Sequence, residues 1–137
     1  MNVGGGNWAG DLDNIGLMNE HMYLIEVLAD GTVELQGPAA YPETHPITIY
    51  PNDWSWIGYP CAEEVDVNVA LSGFEAEEGD MIETLYGEEG GLVYYIGGVW
   101  TGDFDTMIPG RGYLYFSHSD EEKTLIFQTG IEAKENK

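Results

Sequence analysis

The side chains in this sequence with chemistry to offer are carboxylates, indoles and phenols: 25 Asp or Glu, four Trp and nine Tyr, beside three His and one Cys. Two carboxylates can serve as acid and base on a glycosidic bond when they face each other across about 5 to 10 Å. With 25 spread along the chain, no pair is singled out. His21, His45 and His118 have no Ser or Cys partner in a nucleophile arrangement, and Cys61 and Ser72-Gly73 lie outside any nucleophile motif. The residues point away from an enzyme, and no catalytic residue is assigned.

Metal chemistry has one opening. Asp11-Leu-Asp13-Asn14-Ile-Gly16 starts like a calcium loop, and Asp103-Phe-Asp105 repeats the Asp-x-Asp. Calcium takes roughly six to eight oxygens, and the helix-loop-helix pattern needs an oxygen ligand where Ile15 stands and a Glu where Met22 stands. The match fails. At a strand end, Asp-x-Asp puts both carboxylates on one solvated face. No metal and no cofactor is therefore assigned, and calcium-dependent ordering through these two pairs is the weakest of the functional readings.

Aromatic platforms are the third possibility, because sugars and partner side chains stack on exposed rings. Trp54-Ser-Trp56 places two indoles on one strand face, with Ile57 and Tyr59 on the other. Such a face is usually core; turned to solvent it is a binding strip. Tyr94 and Tyr95 must point to opposite sides, while Tyr113 and Tyr115 share one. The ligand-binding candidates are Trp54, Trp56, Trp100, Tyr95 and Tyr113.

The elements that must carry these residues are short apolar runs punctuated by 19 Gly, the texture of an all-β domain. Strands are expected at Met22 to Leu28 and Thr32 to Gln36, joined by an Asp30-Gly31 turn. Others are expected at Pro46 to Tyr50, Trp54 to Tyr59, Asp80 to Leu85, Gly112 to Phe116 and Thr124 to Gln128. A further hairpin, Leu92 to Ile96 with Val99 to Phe104, turns at Gly97-Gly98. Asp66 is placed to cap one short helix ending at Gly73. Residues 131 to 137 read as a frayed tail and 1 to 7 as a flexible start.

Charge narrows the partners. Residues 1 to 110 hold 20 carboxylates and no Lys or Arg; Arg111, Lys123, Lys134 and Lys137 are the only basic residues, and the formal net charge is −21. That excludes nucleic acid and an anionic lipid surface, both of which need a basic face. At 43% hydrophobic and 21% charged the chain is too apolar for intrinsic disorder. One Cys forms no internal disulfide. Neither a membrane-spanning run nor a signal peptide is read, so the chain stands as soluble and untargeted, as would a segment of a longer secreted protein.

The chain also repeats itself. Residues 8–37 lie without a gap over residues 100–129, an offset of 92 (100 − 8), with Trp8/Trp100, Gly10/Gly102, Asp11/Asp103, Asp13/Asp105, Tyr23/Tyr115, Thr32/Thr124 and Gln36/Gln128 identical. Each copy alone would leave an open edge and an exposed apolar face. The two are expected to pack in one sheet system with residues 38–99 as the second layer, an arrangement that suits a piece of a tandem array.

With the repeat in view, His45-Pro-Ile-Thr-Ile49, Trp54-Ser-Trp-Ile-Gly-Tyr-Pro60, Val69-Ala-Leu71, Glu78-Gly-Asp-Met-Ile82, Trp100-Thr-Gly-Asp-Phe104 and Ile108-Pro-Gly-Arg-Gly-Tyr-Leu-Tyr115 resemble a β-rich repeat module of large secreted and surface proteins from Bacteroidetes-type bacteria. The resemblance covers roughly residues 8 to 129. This chain departs from the pattern at Glu83, where Lys is common, and at Asp11 and Asp103, where Ser is common. The resemblance implies a non-catalytic, extracellular or cell-surface module attached to other domains, and it carries over no site residues.

The expectation is one all-β domain over residues 8–130, an antiparallel sandwich or barrel-like fold with an internal pseudo-repeat and at most one short helix. It is expected to be monomeric in isolation and not an enzyme. Its function would be adhesion, protein interaction or spacing of neighbouring domains, the alternative being a carbohydrate-binding module.

Overall fold

The computed structural model describes residues 2–4, 7–8, 18, 20–26, 28–32, 41–84 and 90–129, the first two stretches as backbone alone. In chain order the elements are β1 (Asn2–Gly4), β2 (Asn7–Trp8), β3 (Ile47–Ile49), β4 (Trp54–Gly58), β5 (Val65–Asp66), α1 (Val67–Ala70), β6 (Met81–Thr84), β7 (Gly91–Ile96), β8 (Val99–Gly102), β9 (Thr106–Met107), β10 (Gly112–Phe116) and β11 (Lys123–Leu125). A 3-10 turn at Pro42–Thr44 leads into β3. The protein is all-β and antiparallel.

Five strands form the main sheet in the order β4-β10-β6-β7-β8. Its two ends differ and do not meet, so no barrel closes among the described residues. The pairs β3 with β11 and β5 with β9, together with α1, lie against one face. Period-two alternation decides what fills the space between. Ile57, Ile82, Val93, Trp100, Tyr113 and Tyr115 from the main sheet meet Ile47, Ile49, Val67, Leu71, Met107, Leu125 and Phe127 from the covering layer. Edge-to-face rings lock this core: Tyr115 sits 5.7 Å from Trp100 and 5.5 Å from Phe74, and Tyr59 sits 5.0 Å from Phe127.

Most of the expected strands occur where the alternation places them. The β7–β8 turn has positive φ at both Gly97 (62°) and Gly98 (88°), the backbone a two-residue hairpin of right twist requires. The Asp66 carboxylate accepts the Asn68 amide at 2.8 Å and starts α1, which lasts four residues before turns carry the chain past Gly73.

The Asp30-Gly31 hairpin is a correction. Residues 21–26 and 28–32 carry no strand, and Leu24, Ile25 and Leu28 are exposed; residues 33–36 lie outside the described ones. A two-stranded ribbon with no third strand and no layer over its apolar face is marginal in water, whatever its turn favours. Near the start of the chain, β1 pairs with β2. The frayed tail of residues 131–137 lies outside the described residues.

The β1–β2 pair lengthens the repeat. Gly4 faces Asn7 as Ile96 faces Val99, both positions 92 apart (96 − 4 and 99 − 7). In sequence Gly5-Gly6 falls under Gly97-Gly98. The correspondence therefore reaches back to Gly4; at Asn2 the register shifts, since Asn2 faces Trp8 whereas Tyr94 faces Thr101.

One polar group lies at the centre of the fold. Asp80 is wholly buried at the start of β6. Its carboxylate accepts the Tyr115 hydroxyl at 2.5 Å and the Glu77 amide at 3.0 Å on one oxygen, and the His118 amide at 2.7 Å on the other. Its backbone carbonyl accepts the Tyr95 amide at 2.9 Å. A buried carboxylate is tolerable only when donors replace its water, and here three do so. Asp80→Ala leaves those donors buried and unpaired and should cost about 3–5 kcal/mol, whereas Tyr115→Phe removes one bond and should cost about 1.5–3 kcal/mol. Urea denaturation of both variants checks the order; equal losses would show that the carboxylate acts through the phenol alone.

Candidate binding surface

The same alternation that fills the core decides where the aromatic candidates go. Along β4, Ser55 and Ile57 point inward, and Trp54 and Trp56 point out, 37% and 50% exposed. Ser55 takes the inner position because its hydroxyl accepts the Tyr50 amide at 2.9 Å and so closes the turn between β3 and β4. Asp53 holds the other side of that turn, accepting the Trp54 amide at 2.8 Å.

Register extends the outward face across the sheet. Phe116 lies opposite Trp54 and Leu114 opposite Trp56, with Met81 and Tyr94 in the following strands. Trp54 meets Phe116 edge to face at 5.2 Å, and Phe116 meets the His118 ring at 4.9 Å. Tyr94, Ile96 and Val99 are exposed at the far side. Glu83 stands beside Leu114 in this face.

At the β4 end the surface folds into a cleft of about 470 Å³. The indoles of Trp54 and Trp56 and the phenol ring of Tyr50 border it, with Thr48, Glu20 and His21 adding polar groups. Residues 20–22 form its outer wall: the Gly58 amide donates to the Glu20 carbonyl at 2.8 Å, and Glu20 Oε2 lies 3.1 Å from His45 Nδ1. The cleft is open to solvent, and its lining mixes aromatic and aliphatic residues with polar ones.

The remaining candidates fall elsewhere. Trp100 and Tyr113 are core residues, 5% and 1% exposed, and cannot stack on a ligand; this corrects their assignment as ligand-binding residues. Trp100 is clamped from outside by Asn68, whose side chain accepts its amide at 2.7 Å and donates to its carbonyl at 3.1 Å. That side chain takes the place of a neighbouring strand at the β8 edge. The Tyr113 hydroxyl accepts the Ile108 amide at 2.8 Å. Tyr95 is half-buried and packs on the core 5.3 Å from Trp100, leaving Tyr94 as the outward member of that pair. The parity was readable; which side met the core was not. Phe116, missed in the sequence, was available from the pairing of β10 with β4.

The Asp-x-Asp pairs divide. Asp103 accepts the Leu92 amide at 3.1 Å and Asp105 the Thr106 hydroxyl at 3.1 Å, while Asp11 and Asp13 lie outside the described residues. Among the described residues, no group of three or more His, Cys, Asp or Glu is placed to hold a metal ion. No helix among them is long and apolar enough to cross a membrane. Compared with protein-family models, with curated proteins and with solved structures, the chain matches none.

Buried acids set a pH limit on the scaffold that presents this surface. Desolvation pushes the Tyr115 phenol far above its ordinary value of 10.0, and the Asp80 carboxylate beside it adds to the shift. Tyr59 rises for the same first reason, with Cys61 contributing, and burial also raises Tyr113 and the Cys61 thiol. Each group holds its proton in the fold beyond the pH at which the unfolded chain releases it. The stability these groups contribute is therefore fully present below the unfolded values and is lost as pH rises past about 9–10. In an alkaline titration, tyrosinate absorbance from Tyr59, Tyr113 and Tyr115 should appear together with loss of the β-sheet circular dichroism; their ionisation ahead of unfolding would contradict the burial.

Proposed function

We propose that this chain is a non-catalytic interaction module of the secreted or cell-surface kind, and that it acts through the outward face of its main sheet where β4 meets β10. The observation that carries this is the orientation of Trp54 and Trp56. Large indoles left at the solvent face of an edge strand, beside Phe116 and a cleft, cost solubility and add nothing to the core. Contact surfaces between proteins are enriched in aromatic residues of this kind, which combine large area with few rotamers. The secreted setting and the adhesive or spacing role rest on the resemblance of the sequence to the bacterial repeat module.

A carbohydrate ligand is the second reading, and the cleft favours it. Trp54, Trp56 and Tyr50 line the cleft with rings on which a sugar could stack, and Glu20, His21 and Thr48 line it with groups able to hydrogen-bond. With a net charge of −21, the ligand would be neutral or cationic.

A Trp54→Ala/Trp56→Ala variant tests both. It should keep its fold, because the indoles are outside the core, and lose at least about tenfold in affinity for whatever the module binds, as truncated interface anchors do. Glycan-array hits lost in the variant would support the sugar reading, and surface-protein partners lost without glycan hits the protein reading. Binding that survives both substitutions would sink the assignment of this surface.

A further inference from the structure

The two outer strands of the main sheet are finished differently. At β8 the Asn68 side chain occupies the edge and meets both polar groups of the Trp100 backbone. β4 has no such cover along its length, and its hydrogen bonds settle which of its residues look outward. The Asp53 carbonyl accepts the Ser117 amide at 3.2 Å on the β10 side, whereas the Gly58 amide donates to Glu20 at 2.8 Å, away from β10. In an antiparallel strand the N–H and C=O of one residue share an edge, and successive residues alternate. Ser55 and Ile57 therefore bond β10, and Trp54, Trp56 and Gly58 turn their backbone groups to the free edge. Asp53 takes the Trp54 amide and Glu20 the Gly58 amide. Between them the Trp56 amide and carbonyl meet no partner among the described residues, and the cleft lies along this stretch.

An edge of this kind is a template for one more strand. The open run from Trp54 to Ile57 is about 10 Å long, the rise of three residues. Side chains of an added strand would alternate as those of β4 do. One set would stand beside Trp54 and Trp56 in the outward face, and the other would enter the cleft beside Met22, Ile47 and Ser55. Charge decides what the outward set must be. Glu20 lines the cleft, Asp53 stands at the turn before Trp54, and Glu83 lies beside Leu114 in the same face. No Lys or Arg lines the cleft. Indole faces attract cations, and the chain already holds one cation this way, with Lys123 Nζ 5.8 Å from the Phe74 ring centre. A second copy of the chain, at −21, is repelled.

We infer that the free edge of β4 takes an extended basic segment of a partner protein as an added strand. Its backbone bonds Trp56, its Lys or Arg side chains lie over Trp54 and Trp56, and its alternate apolar side chains fill the cleft. This rests on the reading of the β4–β10 face as an interaction surface and names the class of partner that surface takes.

The probe is a capped hexapeptide, Lys-Val-Lys-Val-Lys-Val, titrated into the full chain, with Glu-Val-Glu-Val-Glu-Val as its acidic counterpart. Tryptophan fluorescence should report binding at least about tenfold tighter for the basic peptide, and about tenfold weaker in Trp54→Ala/Trp56→Ala. Every second peptide amide faces β4, so N-methylation of one alternate set should cost at least about tenfold and of the other set nothing. Bound peptide should slow exchange of the Trp56 amide about tenfold or more and leave that of Ile57, already in the ladder, unchanged. N-methylation without effect at either set, or an acidic peptide that binds as tightly, overturns the inference. So does a chain that binds neither peptide but loses a glycan or folded partner in the double variant, a result that leaves the surface assignment standing. Peptide binding untouched by the double substitution removes both. Trp56 protection that grows with the concentration of the chain alone makes the occupant a second copy and overturns the basic partner.

Discussion

The fold depends on a carboxylate with no water. Asp80 draws together three pieces of chain that no hydrophobic contact would align: the turn at Glu77, the middle of β10 through Tyr115, and the segment after β10 through His118. Hydrophobic burial is indifferent to small slides of one strand along another, because apolar area changes little. A buried charge is not indifferent. Its three donors must arrive within hydrogen-bonding distance or the cost of desolvation is uncompensated, so β6 and β10 are held in one register. In an antiparallel sheet a slip of one residue would turn Tyr113 and Tyr115 outward and Leu114 and Phe116 inward. Asp80 therefore protects both the core and the identity of the outward face. Tyr115 is the natural partner for this role, since its ring packs against Trp100 and Phe74 while its hydroxyl reaches the carboxylate.

The sheet edges show a second economy of polar groups. At β8, the Asn68 side chain presents an amide to the Trp100 backbone and stands in for a strand. At the far end of β4, a single carbonyl from Glu20 does the same for Gly58. Between Glu20 and the β3–β4 turn the edge of β4 opens on the cleft beside Trp54 and Trp56. One edge is thus finished within the unit and the other borders the proposed contact surface. Glu83 in the outward face and the overall charge of −21 discourage like molecules from pairing there. The cations fit this picture. Lys123 is held on the Glu75 carbonyl at 2.6 Å and beside Glu77, over the Phe74 ring, so its charge is spent locally.

How far this was legible in the sequence depends on which physical rule governed each residue. Alternation placed β3, β4, β6, β7, β8 and β10 to within a residue or two and carried β11 three residues too far at its end, and Gly97-Gly98 announced its turn, because side-chain parity and backbone sterics are local. The same local logic failed at Asp30-Gly31, where the turn was favourable and the layer to bury the strands was missing. Parity put Trp54 and Trp56 together but not on a side; hydrophobicity alone would have turned them inward. The inward residue is Ser55 because a hydroxyl was needed at the Tyr50 amide, a contact between two strands that no single-strand pattern contains. Trp100, Tyr95 and Tyr113 show the opposite outcome of the same ambiguity. Asp80 was invisible for a different reason: it is one of 25 carboxylates, and only burial distinguishes it.

The repeat tells why the two copies behave differently although their side-chain order agrees. A strand is stable when its neighbours share the cost of ordering it, and an inner strand has two. β10 has β4 and β6, and its apolar residues reach a core covered by β3, β11 and α1. Residues 20–24 have neither neighbour among the described residues and form no ladder. The difference lies in context and not in propensity. What propensity and local pairing alone can form, the β1–β2 hairpin, is formed; what requires a third strand is not.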